Sequence, residues 1–182
     1  KSMKIKEIIT IGIFLIGMNS YSQNMRKDVV EKDGIKNNIS STETGMYNGT
    51  KSKKTKINFN KAIEYSKKQD FKNAEKFYLK ALKEDPNFVE VYDNLGRIYR
   101  RIGKYDKAIF NYKKSLELYP RGIMAHQNIA VVYSIKKDYL NAIKEYKEII
   151  NLSPNNAEGY FGLANSYMTI SKFDLAIKNA EK

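Results

Sequence analysis

The chain has no cysteine and no tryptophan, a single histidine and only three prolines in 182 residues. Without thiols there are no disulfides, no thiolate metal sites and no cysteine nucleophile. A metal centre would have to gather carboxylates around His126, and the sequence shows no such cluster. No nucleophile–base pairing and no phosphate-binding glycine loop stands out, so an enzyme is not expected, and neither is a cofactor or a small-molecule substrate. Arginine is scarce too: five residues against 28 lysines. Three of the five, Arg97, Arg100 and Arg101, fall within five positions.

What is abundant is positive charge, +13 overall. Such a balance raises nucleic acid, membrane headgroups and anionic polymers as partners. The basic residues form no single stripe, however, and mixed surface charge of this kind usually solvates a fold. Nucleic acid therefore ranks below protein as a partner.

The N-terminus reads as an address. Lys4 and Lys6 precede an uncharged run of 11 residues, Ile8–Met18. A membrane-spanning helix needs about 18 or more such residues, whereas the core of a signal peptide needs about 7–15. Ser20 and Ser22 then place small residues before Gln23, so residues 1–22 are expected to be a signal peptide. The corresponding location is the periplasm, the cell envelope or the extracellular space. Residues 23–54 are polar, rich in Lys, Asn, Ser and Thr, and follow no sustained period. Their few apolar side chains cannot offset the entropy of ordering a backbone, so a flexible linker is expected there.

Beyond the linker one period governs the chain. Pro86, Pro120 and Pro154 are spaced by 34 residues, and so are Tyr65, Tyr99, Tyr133 and Tyr167. Ala74, Ala108, Ala142 and Ala176 share the period, as do the aromatics Phe71, Tyr105, Tyr139 and Phe173. A fixed period of this length marks a stacked repeat architecture. Proline cannot continue a helix interior, so the prolines mark passages between repeats. Small residues at fixed positions let two helices approach closely. One helix pair cannot bury its apolar face alone, so the pairs must stack.

These residues resemble the tetratricopeptide repeat (TPR) pattern. With each proline at position 32, repeats start at Thr55, Val89, Ile123 and Ala157 and cover 55–88, 89–122, 123–156 and a partial 157–182. In the second repeat Tyr92 takes the usual Trp place, followed by Leu95, Gly96, Tyr99, Ala108, Tyr112, Ser115 and Pro120. The first repeat departs from the pattern, with Asn58 and Lys61 where large apolar residues are usual. The resemblance implies an all-α protein, a right-handed solenoid of antiparallel helix pairs over residues 55–182. The fourth repeat reaches only its position 26 at Lys182. An open apolar face is expected there, to meet a partner or a second copy, or else to continue into a longer protein.

The resemblance also points to a binding surface, the concave groove lined by the first helix of each repeat. In the second repeat its positions carry Glu90, Asp93, Arg97, Arg100 and Arg101, and the spacing puts the three arginines on one helical face. In the third they carry Met124, Gln127, Val131, Ser134 and Ile135, and in the fourth Phe161 is among them. The arginines are candidates for anchoring an acidic segment of a partner; the alternative is an ordinary surface row of ion pairs starting from Asp93 and Arg97. Asn60, Asn94 and Asn128 recur at position 6 of three repeats, like the asparagine ladder that binds peptide backbones in related superhelices; the alternative, ranked ahead, is that they bond only within their own repeat. Gly162 breaks that row in the fourth. The Lys–Asn carboxylate clamp of chaperone-binding relatives is not present, since Phe59 and Ile63 occupy its first-repeat positions. The function expected is a protein–protein scaffold or adaptor that takes a peptide or helix in the groove. The rivals are a basic module for anionic surfaces and an accessory part of a longer enzyme.

Overall fold

The computed structural model describes residues 49, 50 and 52–182. The apolar run Ile8–Met18, the cleavage site before Gln23 and most of the linker lie outside the described residues. The described part contains eight α-helices and no strand: α1 (Lys53–Lys67), α2 (Phe71–Glu84), α3 (Val89–Arg101), α4 (Tyr105–Leu118), α5 (Ile123–Ile135), α6 (Tyr139–Leu152), α7 (Ala157–Thr169) and α8 (Phe173–Ala180). Consecutive helices pair within each repeat, and each pair stacks on the next. This is the helix-pair solenoid that the 34-residue period requires. Helix α1 begins two residues ahead of Thr55, because the Ser52 hydroxyl accepts a hydrogen bond from the Thr55 amide and caps it.

The small residues sit where the helices touch. Ala74, Ala108, Ala142 and Ala176 are fully buried, and so are Ala62, Ala130 and Ala164, which share position 8 with Gly96. Only small side chains let two helix axes come this close, and the larger neighbours then fill the space around the contact. Leu95, Val91, Ile129, Val132 and Ile149 do so with almost no exposure. Each contributes about 1.5–3 kcal/mol through removal from water. One core runs from Ala62 to Val132 through the first three repeats. A smaller one joins Ile143, Leu163, Tyr167 and Ala176. Ile57 in the first repeat is 48% exposed where its equivalent Val91 is buried. Among the described residues no helix packs over that outer face of α1, and the polar Asn58 and Lys61 stand on the same helix.

The turn within each pair is the same four times over. Gln69, Gly103, Lys137 and Ser171 all occupy position 15 with φ between +59° and +73°. Only Gly103 belongs to the residue type that adopts this left-handed conformation without strain. At the next position the pairs alternate. Asp70 and Asp138 cap α2 and α6, accepting from the amides of Asn73 and Asn141. The side-chain amides of the same two asparagines donate to the second carboxylate oxygen, at 2.6 and 2.7 Å. Lys104 and Lys172 stand at the equivalent place and give α4 and α8 no side-chain cap.

Candidate functional site

The first helices α1, α3, α5 and α7 carry the expected binding positions, and α3 and α5 touch one another directly. On α3 the side chains do not form the simple ion-pair row that the i, i+4 spacing of Asp93 and Arg97 allows. The Arg97 guanidinium donates instead to the Asn94 side-chain oxygen on its own helix. The Asn94 amide donates to the Glu90 carbonyl at 2.6 Å, and the Asn128 amide to the Met124 carbonyl at 2.9 Å. Two members of the asparagine row thus turn their donors back onto their own helices. Asn60, the third, is exposed on α1. The row stops at Gly162 for a steric reason: a Cβ there would collide with the Tyr146 ring.

Arg101 turns toward the neighbouring repeat, with its guanidinium 5.5 Å from the centre of the Phe71 ring. This is cation–π geometry at an exposed site. Gln127 on α5 donates to the Glu158 carboxylate on α7 and so bridges two first helices. Phe161 is partly buried on α7. Met124 and Ile135, on the same face of the third repeat, are 61% and 46% exposed. The lone histidine is a packing residue: His126 Nδ1 lies 2.7 Å from Glu145 Oε2 and joins α5 to α6.

Around Tyr112 the structure gathers groups that sequence spacing does not connect. This tyrosine, on α4, is fully buried, and its ring lies where a Cβ on Gly96 would come within 2.6 Å. Glycine at 96 is therefore what admits the ring between α3 and α4. Burial pushes the Tyr112 hydroxyl up to about 12; Arg100 and Arg97 pull the other way, and Asp93 reinforces the rise. Burial also holds the Asp93 carboxyl above its ordinary value, opposed by the nearby Ser115 hydroxyl and by Arg97. In the layer before, burial raises the Tyr78 hydroxyl, opposed by Ser66 and Arg97. Arg97 therefore acts on groups from three helices.

These groups approach one another without closing their hydrogen bonds. Asp93 Oδ1, Arg100 Nε, and the Tyr112, Tyr78 and Ser66 hydroxyl oxygens are buried with no partner among the described residues. Asp93, Arg97 and Arg100 are only partly buried as whole residues. Neither Asp93 nor Arg100 has an ion-pair partner among the described residues. Buried polar atoms normally find partners, and a cluster of open ones is a place where a ligand gains by supplying them. Tyr112, Ser115 and Tyr78 are the members that sequence reading missed. Their positions matched the repeat's packing pattern, which explained them as core.

No three His, Asp or Glu side chains gather to hold a metal ion among the described residues. No described helix is long and apolar enough to cross a membrane.

Comparison with known proteins agrees with this architecture. Two family models, each described as tetratricopeptide repeat, match residues 77–110 and residues 55–88 with 125–156. Searching curated proteins gives no match. Among solved structures, the crystal structure of MamA protein is 30% identical, with 70% of each chain covered and a TM-score of 0.65. The MamA RS-1 ArsTM double mutant superposes with a TM-score of 0.66 at 21% identity, over 71% of this chain and 73% of that one. The first TPR of Spaghetti (RPAP3), solved bound to HSP90 peptide SRMEEVD, shares the fold at 21% identity and a TM-score of 0.61. That match covers 69% of this chain and 99% of its own. With its 34-residue period, its helix pairs and these matches, the chain belongs to the tetratricopeptide repeat family.

Proposed function

We propose that the protein is an exported scaffold of the cell envelope whose first helices hold a segment of a partner protein, extended or helical, that carries acidic residues. A protein-interaction role follows from the family. Arg100 supports the acidic character of the segment. Its guanidinium sits partly buried on the binding face of α3, with Nε unpartnered and no carboxylate paired to it among the described residues. A desolvated guanidinium without an anion is an unfavourable arrangement that an incoming carboxylate corrects with charge-assisted hydrogen bonds. A TPR protein of the same fold has been solved with a peptide whose sequence, SRMEEVD, contains acidic residues. Export rests on the apolar run Ile8–Met18 and the small residues before Gln23.

The test is crosslinked capture by the full chain from envelope extract, comparing wild type with the double reversal Arg100→Glu, Arg101→Glu. Loss of specific partners on reversal supports the groove reading. Retention of every partner ends it. Repeating the capture at raised salt separates it from the basic-surface alternative, because binding through diffuse charge fades steeply with salt while a seated segment largely persists.

A further inference from the structure

The surplus of positive charge is not spread evenly. Residues 51–84, the first repeat with the lead into it, hold eleven basic and four acidic side chains, a surplus of seven out of the net +13. Residues 85–182, nearly three times as long, hold fifteen and eleven. Over the whole chain the basic residues form no single stripe, but on α2 the fold aligns four of them. Lys72, Lys76, Lys80 and Lys83 are all exposed and lie on one side of the helix, along about 16 Å. None of the four enters an ion pair among the described residues. The acids of this region are engaged or outnumbered. Asp70, which lies near Lys72, accepts from the backbone and side-chain amides of Asn73. Glu75 accepts from the Tyr99 hydroxyl, and Glu84 pairs with Lys54. Glu64 is exposed on α1 with Lys61, Lys67 and Lys68 within about one turn.

Apolar side chains stand among these lysines. Leu79 is 50% exposed on the same side of α2, and Ile57 is exposed on α1. The two helices present one continuous surface. Lys61 from α1 and Lys80 from α2 both approach the Phe77 ring, at 5.7 and 4.9 Å from its centre, and Tyr65 stacks on that ring at 5.4 Å. In later repeats the matching face of the first helix is covered. Leu95, Ile129 and Leu163 are buried at position 7, where the first repeat has the exposed Lys61. A second copy stacked here as one repeat stacks on the next would bury that ammonium group, which is strongly unfavourable. A fitting partner accepts both the charge and the exposed leucine and isoleucine.

We propose that the first repeat, through the outer side of α2 and the uncovered face of α1, is a docking surface for an anionic lipid bilayer. The lysines lie over the phosphate headgroups. Leu79 and Ile57 enter the boundary between headgroups and acyl chains, as apolar side chains do in interfacial helices whose cationic neighbours reach back to the polar layer. Each lysine near an anionic membrane contributes roughly fivefold in affinity, and four without paired acids act together. A nucleic-acid duplex offers similar charge but no apolar layer for Leu79 and Ile57. Arg97, Arg100 and Arg101 take no part in this surface, which is separate from the groove described above.

Because the chain has no cysteine, a single introduced one can carry a fluorophore. The full chain is labelled with nitrobenzoxadiazole at Leu79→Cys or, as a control, at Leu140→Cys, a site 65% exposed on α6. Each is titrated with vesicles of phosphatidylcholine, alone or mixed with phosphatidylglycerol, and circular dichroism confirms the fold of every variant. The label reads contact at its own site, whatever the rest of the chain does at the vesicle. With anionic vesicles the label at 79 should brighten, shift to the blue and be quenched by brominated acyl chains, while the label at 140 should not. Changing Lys72→Gln, Lys76→Gln, Lys80→Gln and Lys83→Gln together should weaken the response at 79 by roughly tenfold or more, and added salt should weaken it as well. No response at 79, an equal response at 140, an equal response to phosphatidylcholine alone, or an unchanged response in the glutamine variant overturns the assignment. So does a response at 79 to a duplex oligonucleotide but not to vesicles, or a shift that follows protein concentration without vesicles, which would give the surface to nucleic acid or to a second copy.

Discussion

The second and third repeats are the same scaffold put to different use. Both place a small residue at position 8, a tyrosine at position 24 and an alanine at position 20. Yet α3 presents Asp93, Arg97 and Arg100 around a buried hydroxyl, while the matching face of α5 exposes Met124 and Ile135. The positions that hold the pairs together are fixed by packing, and those on the expected binding face differ from repeat to repeat. The difference extends to the frame. The second repeat has Gly96 under its tyrosine, Gly103 in its turn and the uncapping Lys104. The third has Ala130, Lys137 and Asp138 at those places. The second repeat is thus relaxed in its turn and unsupported at the start of its second helix, and the third is the reverse.

That contrast can be broken at several points. The largest effect is expected at alkaline pH. Tyr112 titrates near 12 in the fold instead of near 10, so its neutral form is favoured by the native state. The stability this brings is complete below pH 10 and is lost as pH rises from 10 toward about 12, on the order of 2–3 kcal/mol. Chemical denaturation across that range should show the decline, and Tyr112→Phe should flatten its own share of it. Next comes Gly96→Ala. Alanine favours helix by about 1 kcal/mol over glycine, but its Cβ must displace the Tyr112 ring from 2.6 Å. The net result should be a loss of about 1–3 kcal/mol with an altered near-ultraviolet tyrosine signal. A gain in stability would mean that the ring moves freely. The mirror change Ala130→Gly should cost about 1 kcal/mol, from propensity and lost contact.

Smaller effects test the frame. Lys104→Asp gives α4 the cap that Asp138 gives α6, and thermal unfolding should report a gain of about 1 kcal/mol. Lys137→Gly relieves a left-handed backbone at φ 62° and should gain about 0.5–1 kcal/mol. Gly103→Ala, at φ 73°, should lose a comparable amount.

The fold was legible in the sequence because packing repeats. Ala74, Ala108, Ala142 and Ala176 have one role in four copies, and a role seen four times needs no coordinates to be read. The candidate site was legible only in outline. The arginines on α3 stood out by rarity and spacing, but their directions did not. Arg101 lies over Phe71, Arg97 is tied to Asn94, and Arg100 lies beside the buried tyrosine with its Nε unpartnered among the described residues. The first and last of these depend on neighbours 30 and 12 residues away, and helical spacing carries no information about them. The left-handed turns at Gln69, Lys137 and Ser171 were likewise hidden, since nothing in those residue types announces a positive φ.

By itself, then, the sequence determined the period, the helix pairs, the small residues at their contacts and the helix that carries the arginines. These follow from local pattern and steric size, which every copy of the repeat states again. The tertiary structure decided that Tyr112 is buried on Gly96, that Asp93, Arg97 and Arg100 all lie near its hydroxyl, and that Asp93 Oδ1 and Arg100 Nε find no partner among the described residues. Charge and burial act through space, so groups far apart along the chain acquire a joint chemistry only when the fold brings them together.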